Sequence, residues 1–246
     1  MREAPGEYPG QGAAPTPGPR HWENATAVAW RSAFGEGEKQ LLFPDSLREE
    51  ADAVARALLG STFVSILGEG EVRGVVVETE AYLGPHDPAS HAAERIGRTR
   101  RNESMFGPAG LAYVYRSYGI HWCLNVVTGE EAFPAAVLVR GVDPIHGVEI
   151  VQDRRGGREP LGAGPGRVCQ ALGITGALDG HLLTDPPLQL QRGWRVPDEM
   201  VGVSGRVGIR HAADWPLRFY LRGHPQVTRV RNRARRPDNS TEPDDA

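Results

Sequence analysis

Lysine is almost missing from this chain of 246 residues: Lys39 is the only one, so nearly all of its positive charge is arginine. Arginine forms forked contacts with phosphate and stacks on bases, although a bias in genomic base composition would leave the same signature. Cysteine is scarce too. Cys123 and Cys169 stand far apart and make neither a C-x-x-C pair nor a disulfide framework. That argues against structural zinc and suits a reducing compartment. No run of apolar residues reaches the length of a membrane span, and the first twenty residues lack the apolar segment of a secretory signal. A location inside the cell, cytoplasmic and away from any membrane, is the expectation. Internal repeats are absent.

What is present is enough for a core, with 39% hydrophobic residues. The formal charge of −3 conceals a polarity: the last ten residues hold Asp238, Glu242, Asp244 and Asp245 with no cation, so the remainder stands at +1. Residues 1–40 mix Gly, Pro, Ala and Glu without periodicity and read as a flexible leader. Residues 41–230 read as one folded domain and 231–246 as a basic, then acidic, flexible tail. Within the domain a capping box, S-L-R-E from Ser46, predicts a helix that Gly60 closes. Strands are expected at Phe63–Leu67, Val72–Tyr82, Ala112–Tyr118, Cys123–Thr128, Ala135–Val142, Val201–Ile209 and Leu217–Leu221. Helices are expected after Pro144 and near Pro165. Links between strands are too short for parallel crossovers, so the fold class is α+β: a single mixed domain with a curved, largely antiparallel sheet and surrounding helices.

The segment V-V-V-E-T-E-A-Y-L-G-P from Val75 to Pro85 drives an apolar strand into two carboxylates. Strand alternation puts Glu78, Glu80 and Tyr82 on one face and Val77, Thr79 and Ala81 on the other. A carboxylate leaving water costs several kcal/mol unless it is paired, and the segment itself carries no cation. It is therefore either a site or an edge strand with its acids in solvent. Between Glu80 and Arg140 lie Tyr82, His91, Tyr113, Tyr115, Tyr118, Trp122 and Asn125. Taken singly these are ordinary sheet residues; together they suit a planar ligand. Each base stacked on an aromatic ring gains about 1–3 kcal/mol, comparable with the cost of pulling a nucleotide from a duplex. A positively charged base gains roughly a further 0.5–2 kcal/mol from ring faces.

Several long segments, in order, resemble the 3-methyladenine DNA glycosylases of the alkyladenine type. They are V-E-T-E-A-Y-L-G-P-H-D-P-A-S-H (Val77 to His91), R-N-E-S-M-F-G-P-A-G-L-A-Y-V-Y-R-S-Y-G (Arg101 to Gly119), C-L-N-V-V (Cys123 to Val127), V-L-V-R-G (Val137 to Gly141), G-P-G-R-V-C-Q-A-L-G-I (Gly164 to Ile174), R-V-G-I-R-H (Arg206 to His211) and P-L-R-F-Y-L-R-G (Pro216 to Gly223). The resemblance implies that Glu80 is the general base deprotonating a water that attacks the sugar C1′, with Arg140 helping to hold that water. It implies a pocket of Tyr82, His91 and Tyr115 around a flipped base, with Tyr118 wedged into the duplex. Asn125 would clash with the amino group of guanine, and backbone groups near His91 and Val207 would read the purine edge. The partner implied is double-stranded DNA containing alkylated bases, acted on by a monomer without a cofactor, in base excision repair. Because Lys39 is the sole lysine, a water-only enzyme that leaves an abasic site and does not cut the strand is expected. An alkylated purine already carries positive charge and leaves without much protonation, whereas a neutral lesion such as hypoxanthine needs an acid that the sequence does not identify. Arg210 departs from the family pattern, where a small residue is usual, and beside Val207 could narrow the pocket or add a phosphate contact.

Other signals compete. His86, Asp87 and His91 suggest a metal, but the histidines are five apart in a loop with Pro85 and Pro88, which is poor ligand spacing, and no metal is expected. The run Gly162 to Arg167 lacks the G-K-[ST] ending of a nucleotide loop; it is a tight turn before a helix, or amides offered to a DNA phosphate. Arg95, Arg98, Arg100 and Arg101, and the cluster Arg229, Arg231, Arg233, Arg235 and Arg236, are phosphate contacts or solvated faces. Rival functions are a non-catalytic nucleic-acid-binding module and a metal-dependent hydrolase using His86 and His91.

Overall fold

Strand β2 (Val72–Tyr82) is the spine of the molecule, because three different strands pair with it. In the computed structural model, which describes residues 44–230, it pairs antiparallel with β1 (Thr62–Ser65) over its first half, with β8 (Arg218–Leu221) at Glu78–Glu80, and with β5 (Ala135–His146) along the other side. The sheet continues through β4 (His121–Thr128) to β3 (Ala112–Ser117) at one end, and through β1 to β6 (Leu188–Gln191) at the other. Strand β7 (Val201–Ser204) joins at β8. Every pairing is antiparallel, and with the helices the domain is α+β, as expected. The leader and tail expected over 1–40 and 231–246 lie outside the described residues.

Among the described residues three helices pack on the sheet: α1 (Ala51–Ala57), α2 (Val148–Arg155) and α3 (Pro165–Leu172). Val54 and Ala55 of α1 and Val168 and Leu172 of α3 enter one core with Val76, Val77 and Val139 of the sheet. Full burial of each such aliphatic side chain is worth about 1.5–3 kcal/mol. Polar fasteners set the helices in register with the strands: the Thr79 hydroxyl donates to the Ala55 carbonyl at 2.8 Å, and the Ser65 hydroxyl to the Leu172 carbonyl at 2.6 Å.

Some boundaries differ from those expected. No helix opens at the Ser46 box; Pro44–Leu47 is a 3₁₀ turn and α1 begins at Ala51. Leu47 is buried and its carbonyl accepts the Gly129 amide at 3.0 Å, so a tertiary contact takes the acceptor that a continuing helix would need. The strand expected over Val201–Ile209 stops at Ser204, because Arg206 turns inward to Asp87 and the Val207 amide goes to Glu80 rather than to a neighbouring strand. Strand β5 outruns its expected end at Val142, reaching His146, and the short edge strand β6 was not anticipated.

Candidate active site

The β2–β5 ladder has register shifts on both sides of Glu78, opposite Gly141. A Cβ on Gly141 would lie 2.7 Å from the Gln226 carbonyl oxygen and 3.0 Å from the Glu78 Cβ, so the missing side chain makes room for the acid. Glu78, Thr79 and Glu80 are all wholly buried, which disposes of the edge-strand reading. The cations absent from the segment come from other strands. Arg140 of β5 places Nε 3.3 Å from Glu78 and Nη1 3.3 Å from Glu80. Arg218 of β8 donates Nε to Glu78 at 2.7 Å. The Thr228 amide completes the Glu78 shell at 2.7 Å. Two acids and two guanidiniums thus balance inside the sheet, and Glu78 spans both arginines.

Glu80 has a different shell. Its Oε1 accepts the Val207 amide at 2.6 Å, and its Oε2 accepts the Tyr82 hydroxyl at 3.1 Å together with Arg140. Burial drives its pKa above the ordinary carboxylate value, against the lowering effect of Arg140, Val207 and Tyr82. Arg140 stays charged: burial opposes its charge, but Glu80 and Glu78 outweigh it and raise its pKa.

In front of this cluster lies a cavity of about 510 Å³, whose wall includes Tyr82, His91, Tyr115, Asn125, Arg140 and Val207. The structure therefore brings together the pocket residues expected from the sequence, and Glu80 stands immediately behind the wall, held by three of its members. Nδ1 of His91 is 2.8 Å from the Tyr113 hydroxyl, and its ring meets Tyr115 edge-on at 4.4 Å between centroids. Asn125 donates to the Tyr113 carbonyl at 3.0 Å. Burial pushes the phenols of Tyr82, Tyr113 and Tyr115 upward, so they remain neutral. His91 is lowered to about 4, by burial first and by the Arg101 charge second. The signs predict that Arg101→Gln raises the His91 pKa while leaving it below the free-histidine value, because burial persists; an NMR titration of the imidazole checks this, and an unchanged midpoint contradicts it.

Tyr118 occupies the tip of the β3–β4 hairpin at φ 50°, followed by Gly119 at φ 69°, with the Ile120 amide donating to the Ser117 carbonyl. A left-handed tyrosine costs about 1–3 kcal/mol, and the two-residue hairpin turn, which needs positive φ at both central residues, imposes it here. The residue is 90% exposed at the rim of the cavity.

Sequence reasoning missed the device that holds the pocket loops. Arg206 and Asp87 form a wholly buried bidentate pair, with Nη2 to Oδ1 at 2.8 Å. Asp87 also accepts the Leu83 amide at 3.2 Å and the Ala89 amide at 3.0 Å, and the Arg206 guanidinium lies 4.8 Å above the Tyr82 ring. One ion pair thus ties the loop carrying His91 to the loop carrying Val207. The available signals were an acid between His86 and Pro88, and a lone arginine inside the strand-like run V-G-V-S-G-R-V-G-I. Arg101, whose guanidinium lies 5.1 Å from the Tyr115 ring centre, is a further cavity residue that the sequence offered only as a phosphate contact or part of a solvated face. Arg210 is exposed and does not line the cavity. Its expected narrowing of the pocket is not seen. His86 is exposed and pairs with Glu94 at 3.4 Å, while His91 faces Tyr113; among the described residues no three His, Cys, Asp or Glu side chains converge as metal ligands. Among the same residues no helix is long and apolar enough to cross a membrane.

The chain is similar over most of its folded part to proteins known by sequence. A family model described as methylpurine-DNA glycosylase matches residues 45–225. A protein of Methanoculleus marisnigri is 50% identical over 181 residues, covering 72% of this chain and 92% of its own. One from Agrobacterium fabrum is 47% identical over 186 residues, covering 74% and 89%, and one from Rhodopseudomonas palustris strain HaA2 is 47% identical over 193 residues, covering 78% and 90%. All three are provisionally named 3-methyladenine DNA glycosylases.

Proposed function

The chain belongs to the methylpurine-DNA glycosylase family, and we propose that it excises alkylated purines such as 3-methyladenine from duplex DNA by hydrolysis. The observation that carries this reading is the Glu80 carboxylate, buried behind an aromatic cavity and bridged to Arg140. An ionised carboxylate accepts about four hydrogen bonds. Three are taken by Val207, Tyr82 and Arg140. The remaining lone pair takes a water, whose oxygen bonds to the sugar C1′ as its proton passes to Glu80. The electrons of the C1′–N bond return to the purine, which departs neutral because it was a cation beforehand. A carboxylate with a raised pKa is a stronger base for this step than an ordinary one.

The pocket favours cationic lesions over neutral ones on the same grounds. Its tyrosines are weakened as acids by burial, and a histidine whose pKa is about 4 is a neutral imidazole at pH 7, so neither protonates a leaving group readily. The flipped base fits against Tyr82, His91 and Tyr115, with Tyr118 filling the gap left in the duplex and the Asn125 amide rejecting the guanine amino group. The metal-hydrolase alternative has no support in the placement of His86.

Methylated duplex DNA incubated with the protein is expected to release free 3-methyladenine. The product strand stays intact until heated in alkali, and borohydride traps no adduct. Binding without base release would reduce the protein to a recognition module. A trapped adduct dependent on Lys39 or the amino terminus would make it a strand-cutting enzyme.

A further inference from the structure

Glu78 is wholly buried beside the excision chemistry but has no step in it. Its carboxylate is held from three directions. Oε1 accepts Nε of Arg140 from β5 at 3.3 Å and Nε of Arg218 from β8 at 2.7 Å, and Oε2 accepts the Thr228 amide at 2.7 Å. The segment bearing Thr228 is itself tied down, since the Gln226 side chain accepts the Gly162 amide at 2.9 Å. Among the described residues Glu78 is the one acid that Arg218 pairs with. Arg218 stands opposite Glu80 in the β2–β8 register, yet its Nη1 donates to the Ser204 hydroxyl and its Nη2 to the Thr228 carbonyl, both at 3.0 Å, and its guanidinium lies 4.4 Å from the Tyr220 ring centre. Positive charge is therefore divided unequally between the two acids. Glu78 has Arg218 and the Nε edge of Arg140, whereas the cation bonded to Glu80, among the described residues, is Nη1 of Arg140, which also faces the Val207 carbonyl at 3.5 Å.

We propose that Glu78 is a positioning residue for base release: by anchoring Arg140 through Nε it keeps that guanidinium from closing a two-nitrogen pair on Glu80, and so leaves Glu80 a lone pair for the attacking water. A forked arginine–carboxylate pair is the stronger arrangement, and an acid held in one is a weaker base. The other groups facing Glu80 are Tyr82 of β2, with Arg206 lying 4.8 Å from its ring centre, and the Val207 amide. The charge of Glu78 also acts directly, raising the Glu80 pKa alongside the larger effect of burial. The proposal rests on the reading of Glu80 as the base.

Glu78→Gln alone would strand the Arg218 guanidinium inside the sheet, so the test adds Arg218→Met, which removes one acid and one cation together and leaves Arg140 with Glu80. Replacing a buried pair in this way is often tolerated by a fold. Release of 3-methyladenine from methylated duplex is followed in single turnover with the full chain at saturation, across pH, beside the parent and Glu80→Gln. In the double variant the plateau rate is expected to fall about ten- to hundredfold, the scale of a misplaced reacting group, and the acid limb to move down by about one pH unit, since Arg140 then serves Glu80 alone. Duplex affinity is expected to be unchanged, both altered side chains being buried. An acid that merely held the fold together would lower the melting temperature without moving the limb. The proposal is overturned by a limb that stays in place or moves up, by an unchanged plateau, or by a double variant that does not fold, which would make Glu78 a structural acid. A parent that releases no base, or a Glu80→Gln variant that matches it, would sink the excision reading and this proposal with it. A parent and a Glu80→Gln variant that behave as expected, beside a double variant with limb and plateau unmoved, would remove the role of Glu78 alone.

Discussion

Glu80→Gln is expected to lower single-turnover base release by about 10²–10⁴-fold, the usual contribution of a positioned general base, while duplex affinity changes little. Glutamine has the shape of the carboxylate and can still accept the Val207 amide that Oε1 holds at 2.6 Å, but it cannot take a proton from water. Arg140 keeps Glu78 at 3.3 Å, so the guanidinium is not left without an acid. Misfolding is therefore not the expected cause of the loss. Burial places the Glu80 pKa above the unfolded value, so the folded chain binds this proton more tightly than the unfolded one. Between the two pKa values the unfolded state holds fewer protons, and this group's contribution to stability falls as pH rises through that window. Above it the ionised carboxylate is a net cost to folding, which glutamine removes. The variant should melt no lower than the parent at pH 7.5. Loss of activity with a clearly lowered melting temperature would point to a structural acid instead.

The same shift sets the pH dependence of the parent. Release should fail as acid protonates Glu80, with a midpoint above the ordinary carboxylate range, because the burial that raises the pKa is intrinsic to the site. A midpoint at or below 4 in kcat/KM would mean that some other group limits the reaction.

How much of this was legible in the chain depended on whether the signal was local. The alternation from Val75 to Tyr82 put Glu80 and Tyr82 on one face, and the strand bounds Val72 and Tyr82 are those observed, since period-two patterning reads directly from neighbours. Resemblance to the family located Arg140, His91 and Asn125 at the same cavity. The capping box at Ser46 failed because the Leu47 carbonyl is claimed by Gly129, a partner 82 positions away that no local pattern contains. The end of β7 failed for a related reason. Val207 gives its amide to a side chain 127 residues distant, and strand propensity cannot register a backbone donor assigned to a buried carboxylate. Glu78 showed its burial but not its partners, since Arg140 and Arg218 reach it from strands 62 and 140 positions on. Asp87 was weighed only as a metal ligand, and discounted as one, because its real partner lies 119 positions away in sequence.

Asp87→Asn should lower the melting temperature by about 10 °C, the consequence of leaving the Arg206 charge buried and unmatched. Removing one member of a buried pair costs about 3–5 kcal/mol, and a domain of this size loses roughly 2–4 °C per kcal/mol. Both side chains are wholly shielded from solvent, so water cannot replace the lost carboxylate. The amide would also have to turn one end away from the Leu83 and Ala89 amides, whose bonds to Asp87 shape the loop before His91. Base release below the melting temperature should fall as well, because Arg206 underlies Tyr82 and immediately precedes Val207, and both residues hold Glu80. A double-mutant cycle identifies the cause. With Arg206→Met added, no uncompensated charge remains, and the double variant should melt above the Asp87→Asn single variant while base release stays impaired, since the clip between the two loops is still absent. A double variant that melts lower than the single one would mean that Asp87 acts through its amide bonds alone and that the ion pair does not fasten the pocket.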